Sequence, residues 1–203
     1  MMLKEVINQL EQKWGPFVDA ENNICNGTPE YMESGLKFNY IFKPISKGKY
    51  LTYALDNNVA IPNELSLLYD ECNGFRLFLS SLSIYGIQER KSKMEPYDLS
   101  VENHNSRSRL KGKYPDHLVF GAFGRDYLLS YDLTEKNKIK CISIENGHVI
   151  KTFCNLVELL DFFVPRMMKL YDFKCRKIKP DRMFKGIPAL ENATFDFKEL
   201  INE

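Results

Sequence analysis

The histidines are the first place to look for chemistry, because an imidazole beside a hydroxyl, a thiol or a carboxylate can act as a general base. The chain has three, His104, His117 and His148, and none stands at a fixed spacing from such a partner. The sequence also lacks an H-E-x-x-H zinc motif, a nucleophile elbow and a P-loop. We therefore predict no catalytic residues, and the protein is expected not to be an enzyme.

The cysteines form no recognisable site either. They are odd in number, widely spaced and never arranged as C-x-x-C, at Cys25, Cys72, Cys141, Cys154 and Cys175. This pattern argues against a disulfide framework and against a zinc site, and it is typical of reduced thiols in a cytoplasm. No metal and no cofactor are expected.

Two short patterns look like sites but stand in the wrong context. Gly121-Ala122-Phe123-Gly124 could be mistaken for a phosphate-binding loop, yet no helix follows whose N-terminus would bind the anion, so we interpret it as a turn. Asp181, Asp196 and Lys198 have the order of a metal-dependent nuclease pattern. That chemistry needs the acids on adjacent core strands, whereas these lie in a polar tail, so we interpret the match as chance.

The composition is that of a globular protein. Of the 203 residues, 44 % are apolar and 27 % are charged, and the formal net charge is +1. The first residues carry acids and amides where a signal peptide is apolar. No stretch approaches the roughly 18 uninterrupted apolar residues of a membrane-spanning helix. We expect a cytoplasmic protein that has no membrane partner.

Charge is distributed unevenly along this nearly neutral chain. Residues 1–34 hold six acids against two lysines, and residues 166–188 hold eight Lys or Arg against two Asp. The basic segment also contains Tyr171, Phe173 and Phe184, so it could bind a phosphate backbone and stack on bases. The alternative is a solvated lysine-rich surface, which we favour because the whole chain is nearly neutral.

Apolar periodicity predicts three helices. The first runs from Leu3 to Trp14, where apolar residues recur at i, i+3, i+4, i+7 and i+11. The second follows Pro62, which suits the first turn of a helix, and ends at Asn73-Gly74. The third is opened by the capping box Asn155–Glu158, and Pro165 is expected to kink it or to end it early.

Alternating or aromatic apolar runs predict that the rest of the chain is rich in β-structure. Asn146-Gly147 is a two-residue hairpin signal between the last two runs. Residues 18–35 are rich in turn signals and 88–113 are polar, so both are expected to be loops. The runs that predict strands are 37–42, 75–79, 82–87, 118–120, 126–131, 138–144 and 148–150.

The order of these elements resembles the SUKH superfamily, which groups bacterial immunity proteins of polymorphic toxin systems with a fungal regulator of cell-wall synthesis. The signature of that family is a Leu/Ile-Pro that opens a helix closing in Asn-Gly, and here it is Ile61–Gly74. A later strand and turn with glycines and an acid looks like Val119–Asp126, and the closing helix looks like Phe153–Phe163. The resemblance covers about residues 50–171, and Phe75 stands where the family has a second glycine.

The resemblance implies an α+β fold, with a mostly antiparallel sheet and helices packed on one face. It divides the chain into an N-terminal extension packed on the core (1–47), a SUKH-like domain (48–172) and a basic C-terminal extension (173–203). It implies a non-enzymatic protein-binding function, that of an immunity protein which binds and neutralises a cognate toxin enzyme in the cytoplasm. The alternative is a nucleic-acid-associated protein that uses the basic segment 166–188.

The residues expected to contact a protein partner are Tyr85, Tyr97, Arg125 and Asp126. Arg125 and Asp126 belong to the strand-and-turn element, and interfaces favour tyrosine and arginine. The tyrosines qualify only if they are exposed, and alternation along a strand predicts that about half of the strand tyrosines are core. The tyrosines considered are Tyr85, Tyr97, Tyr127 and Tyr131.

Overall fold

The computed structural model describes residues 2–30, 35–56, 60–87, 96, 113–114, 116–135 and 138–178. Within these residues the chain forms nine strands and four helices. In chain order they are α1 (Leu3–Trp14), β1 (Val18–Asp19), β2 (Asn23–Asn26), β3 (Asn39–Phe42), α2 (Lys47–Asp56), α3 (Asn63–Glu71), β4 (Phe75–Leu77), β5 (Leu82–Ile84), β6 (His117–Phe123), β7 (Tyr127–Asp132), β8 (Lys138–Ser143), β9 (Val149–Phe153) and α4 (Leu156–Leu170).

The strands form one sheet in which each strand pairs with the next along the chain, and every one of these pairings is antiparallel. This confirms the predicted α+β class with a mostly antiparallel sheet. The register of the pairings places Tyr40, Arg76 and Ser83 side by side on β3, β4 and β5. Ala122 and Leu128 continue the same row on β6 and β7. The sheet therefore brings residues that are distant in sequence onto one surface.

One apolar core joins the helices to the sheet. α1, α3 and α4 each contribute buried side chains to it, such as Leu10, Leu65 and Phe163. The Phe163 ring centroid lies 4.1 Å from that of Phe123 on β6 and 5.7 Å from that of Phe153 on β9. Burial of a large apolar side chain contributes about 1.5–3 kcal/mol. Packing on the sheet, more than helix propensity, therefore stabilises these helices.

The first two predicted helices are confirmed. α1 buries the predicted stripe and ends at Gly15, whose φ of +80° is a conformation that glycine adopts without steric cost. α3 begins directly after Pro62, and its inward side chains are buried. Of the two residues that predicted its end, Gly74 has the left-handed conformation, with a φ of +79°.

The third predicted helix, α4, has its predicted cap but not an early end. The Asn155 side chain accepts a 2.8 Å hydrogen bond from the backbone N–H of Glu158, whose carboxylate accepts a 2.6 Å bond from the N–H of Cys154. The helix continues through Pro165 to Leu170, so of the two predicted alternatives, a kink or an early end, the early end does not occur. Leu170 is itself buried, and its packing stabilises the last turn against the hydrogen bond that the proline removes.

Two N-terminal segments differ from their predictions. Residues 18–35 include β1 and β2, so the prediction of a loop was wrong. The strands were missed because each is too short to show the alternation that predicts a strand. α2 was not predicted, because Ser46-Lys47-Gly48 is typical of a turn. Tyr50 on α2 is only 4 % exposed, and its packing in the core outweighs this local signal.

Gly121 lies within a strand and not in the predicted turn. β6 extends to Phe123, and the turn begins at Gly124. A Cβ atom at Gly121 would lie 2.5 Å from the backbone oxygen of Ser83 on β5, so glycine is needed for the close approach of these strands. The register also shifts between Val119 and Gly121, as in a β-bulge.

The N-terminal residues belong to the same sheet and the same core as the residues that follow. β3 pairs with β4, and the Phe42 N–H donates a 3.1 Å hydrogen bond to the carbonyl of Gly74. The Asn73 N–H donates in turn to the carbonyl of Phe42 at 2.9 Å. The boundary expected at residue 47 therefore separates strands of one sheet. Of the expected C-terminal extension, residues 179–203 lie outside the described residues.

Candidate functional site

Four polar side chains lie together across β6, β7 and β8. His117 on β6 is the register partner of Asp132 on β7. Ser130 is on the same face of β7 as Asp132, because alternate residues of a strand share a face. Lys140 on β8 is the register partner of Ser130. We refer to His117, Ser130, Asp132 and Lys140 as the polar cluster.

Direct contacts join the polar cluster. The His117 ring places Nδ1 3.1 Å from Ser130 Oγ and Nε2 3.4 Å from Asp132 Oδ2. Lys140 Nζ lies 2.6 Å from the same Asp132 oxygen and 3.6 Å from a carboxylate oxygen of Glu135. One carboxylate therefore holds both a lysine and a histidine in place.

The second oxygen of Asp132 binds the turn that follows β7. It accepts hydrogen bonds from the Thr134 hydroxyl at 2.7 Å, the Thr134 N–H at 2.9 Å and the Glu135 N–H at 3.1 Å. Burial by itself raises the pKa of Asp132, but the hydrogen bonds from Lys140, Thr134 and Glu135 outweigh it and hold that pKa well below its usual range. The hydrogen bond to Asp132 raises the pKa of Lys140. Asp132 is therefore a carboxylate and Lys140 an ammonium at neutral pH.

The polar cluster has the residue types of a serine hydrolase, but it is closed. Ser130 is fully buried and Asp132 is 3 % exposed. The Tyr114 ring lies 4.8 Å from the His117 ring, and the Tyr114 hydroxyl donates a 2.7 Å hydrogen bond to the carbonyl of Gly147. A nucleophile must reach its substrate, and the buried Ser130 hydroxyl does not. The contacts of the polar cluster join β6, β7 and β8 and hold the turn after β7.

Sequence reasoning missed the polar cluster, because only the register of the sheet brings His117 to Asp132. A weak signal was present in Ser130-Tyr131-Asp132, where two small polar side chains alternate within an apolar strand. His148 is exposed in the turn between β8 and β9, away from these residues in the chain. His104 lies outside the described residues.

The family-like signature has a structural role at the junction of α3 and the sheet. The Asn73 side chain donates a 2.8 Å hydrogen bond to the carbonyl of Ile87 and accepts a 2.9 Å bond from its N–H. A Cβ atom at Gly74 would lie 2.5 Å from the carbonyl oxygen of Ile84. Both residues therefore tie the end of α3 to the chain at and beyond β5.

The expected partner-contact residues have different environments. Arg125 and Asp126 are exposed, in the turn between β6 and β7. Tyr85 is only 5 % exposed, so it does not meet the condition of exposure and its selection as a surface residue was wrong. Tyr127 and Tyr131 are also core residues, at 4 % and 0 %. Tyr97 lies outside the described residues.

The described part of the basic segment, residues 166–178, is tied to the rest of the fold. Lys174 forms a 2.8 Å ion pair with Glu30, and Arg176 forms a 3.0 Å ion pair with Asp172. The Arg166 guanidinium lies 3.9 Å from the centroid of the Phe162 ring. Residues 179–188, and the acids and lysine of the nuclease-like pattern, lie outside the described residues.

The helices α2 and α3 expose apolar side chains. Leu51, Leu55 and Leu67 are 55 %, 81 % and 53 % exposed. Leu51 and Leu55 are one turn apart on α2, so they lie on the same side of the helix. Carboxylates are exposed beside the leucines on both helices. We refer to the exposed side chains Leu51, Leu55, Leu67, Asp56, Asp70 and Glu71 as the α2–α3 face.

The five cysteines are free thiols, and no two of them are joined in a disulfide. Four are buried, and Cys154 is exposed. Burial raises the pKa of Cys72 and of Cys141 to about 12, and that of Cys175 to about 11. These three thiols are therefore protonated at neutral pH and poor nucleophiles.

Among the described residues, no group of three or more His, Cys, Asp or Glu side chains is arranged to hold a metal ion. Over the same ranges, no helix is both long enough and apolar enough to cross a membrane. Comparison of the chain with protein-family models, with curated proteins and with solved structures gives no significant match.

Proposed function

We propose that this protein is an immunity protein of the SUKH type, which binds a toxin enzyme in the cytoplasm and neutralises it without chemistry of its own. The observation that carries the proposal is the junction at Asn73-Gly74. There the signature Ile61–Gly74 forms a helix, and its last two residues are tied to Ile84 and Ile87. The residues on which the resemblance depends thus have a defined role in joining α3 to the antiparallel sheet.

The environment of the polar cluster also supports a binding function. Its serine hydroxyl is buried, and its carboxylate accepts hydrogen bonds from Lys140, Thr134 and Glu135. Such a network stabilises a fold, and it leaves no accessible nucleophile at this position. An immunity protein needs a stable surface of defined shape, which a rigid sheet provides.

The turn between β6 and β7 offers the two exposed residues predicted to contact the toxin, Arg125 and Asp126. The turn is held at both ends, because the Gly124 N–H donates to the Ser81 carbonyl and the Ile144 N–H donates to the Asp126 carbonyl, each at 2.7 Å. A turn that is already ordered loses little conformational entropy on binding. Its two opposite charges would then give specificity for the toxin.

The proposal is tested by isolating partners of the tagged full-length chain from its source cell, with and without nuclease treatment. We expect one protein to be retained in equal amount after nuclease treatment, and the purified chain to inhibit its enzymatic activity. The charge exchange Arg125→Asp with Asp126→Arg should weaken that inhibition, whereas Glu145→Gln in the neighbouring turn is the matched control. A retained protein whose activity is unaffected by the chain would contradict the proposal.

The same experiment separates this function from nucleic-acid association. Binding through the basic segment predicts partners that disappear with nuclease and with neutralisation of Lys174, Arg176, Lys177 and Lys179. In the described part of that segment, Lys174 and Arg176 already form ion pairs with acids of this chain. This leaves less positive charge for phosphates, and it is the reason that we favour the protein partner.

A further inference from the structure

We propose that the α2–α3 face is the principal docking surface for the toxin, and that it takes a partner surface with an apolar groove bordered by lysine or arginine. This inference rests on the proposed function and assigns it a surface that the sequence did not indicate. The turn at Arg125 and Asp126 would be a second, polar contact.

The apolar part of the face is more than scattered exposure. A single exposed leucine is ordinary on a protein surface, but Leu51 and Leu55 form an i, i+4 pair that points away from the core. Tyr50 on the other side of α2 is buried, so α2 is apolar on both sides. Leu67 adds a third exposed leucine on the neighbouring helix α3. Exposed leucines grouped on two neighbouring helices are typical of an interaction surface.

Tyr50 joins the two helices that carry the face. The Tyr50 hydroxyl donates a 3.2 Å hydrogen bond to the carboxylate of Asp70, and the Tyr50 ring centroid lies 6.4 Å from that of Tyr69 on α3. Leu51 follows Tyr50, and Leu67 precedes Asp70 by one helical turn. The exposed leucines of both helices are therefore close in sequence to residues that hold α2 and α3 together, and such contacts reduce the ordering cost of binding.

The charges on the face select the partner. Among the described side chains of α2 and α3, the exposed charged residues are three acids, Asp56, Asp70 and Glu71, and one base, Lys49. A second copy of this chain would bring acid against acid, which disfavours self-association through this face. A surface with lysine or arginine around an apolar groove is complementary to both the leucines and the acids.

The test combines substitution with site-specific crosslinking in the full-length chain. Leu51→Ser with Leu55→Ser removes the apolar pair, and Glu71→Lys reverses one charge; Val157→Ser, a 39 % exposed valine on α4, is the matched control. Affinity for the toxin retained by the unmodified chain is measured for each. We expect the leucine variant to lose at least about tenfold and Glu71→Lys to lose about three- to tenfold. Val157→Ser should change affinity less than about twofold.

A photoreactive p-benzoylphenylalanine placed at Leu55, and separately at Val157, is the probe for the occupant. We expect crosslinking at position 55 to a toxin segment richer in Lys and Arg than in Asp and Glu, and none at position 157. Crosslinking of position 55 to a second copy of this chain, or to an acidic segment, would overturn the inference. Full affinity of the leucine variant would overturn the docking surface alone, whereas retention of no protein by the unmodified chain would overturn the proposed function with it.

Discussion

The polar cluster and the α2–α3 face invert the usual relation between residue type and position. In the cluster, side chains that could perform chemistry are buried, as Ser130 is at 0 % exposure. On the face, side chains that could stabilise a core are exposed, as Leu55 is at 81 %. Buried polar groups are retained where they are hydrogen-bonded, and grouped exposed leucines are typical of an interface.

The two regions separate the residues that stabilise the fold from those that carry the proposed function. The cluster joins β6, β7 and β8 through a carboxylate that binds Lys140 and the turn at Thr134, so a change there should act on the stability of the sheet. Leu51 and Leu55 lie outside the core, so a change there should act on binding.

The largest expected effect is on stability, from Asp132→Ala. The substitution leaves Lys140 and His117 without their shared carboxylate, and removal of one member of a buried ion pair costs about 3–5 kcal/mol. We expect about 3 kcal/mol, because Lys140 also lies near Glu135 and keeps some contact with water. Urea unfolding measures it. Asp126→Ala at the exposed turn is the control, and a loss below about 1 kcal/mol for Asp132→Ala would contradict the account.

The pH dependence of stability should report the same carboxylate. Since the pKa of Asp132 is lowered in the folded state, its ionisation stabilises the protein above the unfolded pKa of about 3.9. That contribution is lost as the pH falls from about 5 through the folded pKa, which lies well below the unfolded value. The free energy of unfolding should therefore fall less steeply with acid in Asp132→Asn. If the free energy of unfolding had the same pH dependence in both proteins, the pKa of Asp132 would not be lowered in the folded state.

A smaller loss of stability is expected from Ser130→Ala. It removes one buried hydrogen bond, the contact of Oγ with Nδ1 of His117, which contributes about 1 kcal/mol. The toxin should bind this variant as tightly as it binds the unmodified chain. Isothermal titration calorimetry checks the binding, and a tenfold weaker affinity in a folded variant would show that the polar cluster takes part in toxin binding.

The least effect on stability is expected from Leu51→Ser with Leu55→Ser. Both side chains are exposed, and surface substitutions change the free energy of unfolding by about 0.5 kcal/mol or less. Thermal unfolding followed by circular dichroism measures this directly. A loss above about 2 kcal/mol would mean that the leucines stabilise the fold, and the α2–α3 face would no longer be a surface without a structural role.

The fold could be predicted from the sequence wherever a local pattern was long or capped. The stripe of α1, the helix after Pro62 and the Asn155 cap each combine periodicity with a start or stop signal, and all three were confirmed. β1 and β2 were missed because each is too short to show alternation. Gly121 was assigned to a turn because glycines are common in turns. It is in fact needed because the Ser83 carbonyl of the neighbouring strand lies too close for a Cβ atom, and the sequence around Gly121 does not show this contact.

The candidate sites could be predicted only in part, because exposure and register are tertiary properties. Arg125 and Asp126 are exposed in a turn, although the run 126–131 had placed Asp126 at the start of a predicted strand. Tyr85 is buried as part of the apolar core, which the tertiary fold assembles and its local sequence does not show. The α2–α3 face was missed because α2 itself was missed.

If the proposed function is right, the protein acts by binding through the α2–α3 face and not through the residues of its polar cluster. The most direct test is inhibition of the isolated toxin by two variants in one assay, Leu51→Ser with Leu55→Ser and Ser130→Ala. The account predicts that the leucine variant needs at least about ten times more protein for half-inhibition, whereas Ser130→Ala inhibits like the unmodified chain. Full inhibition by the leucine variant together with loss of inhibition by a folded Ser130→Ala would contradict it.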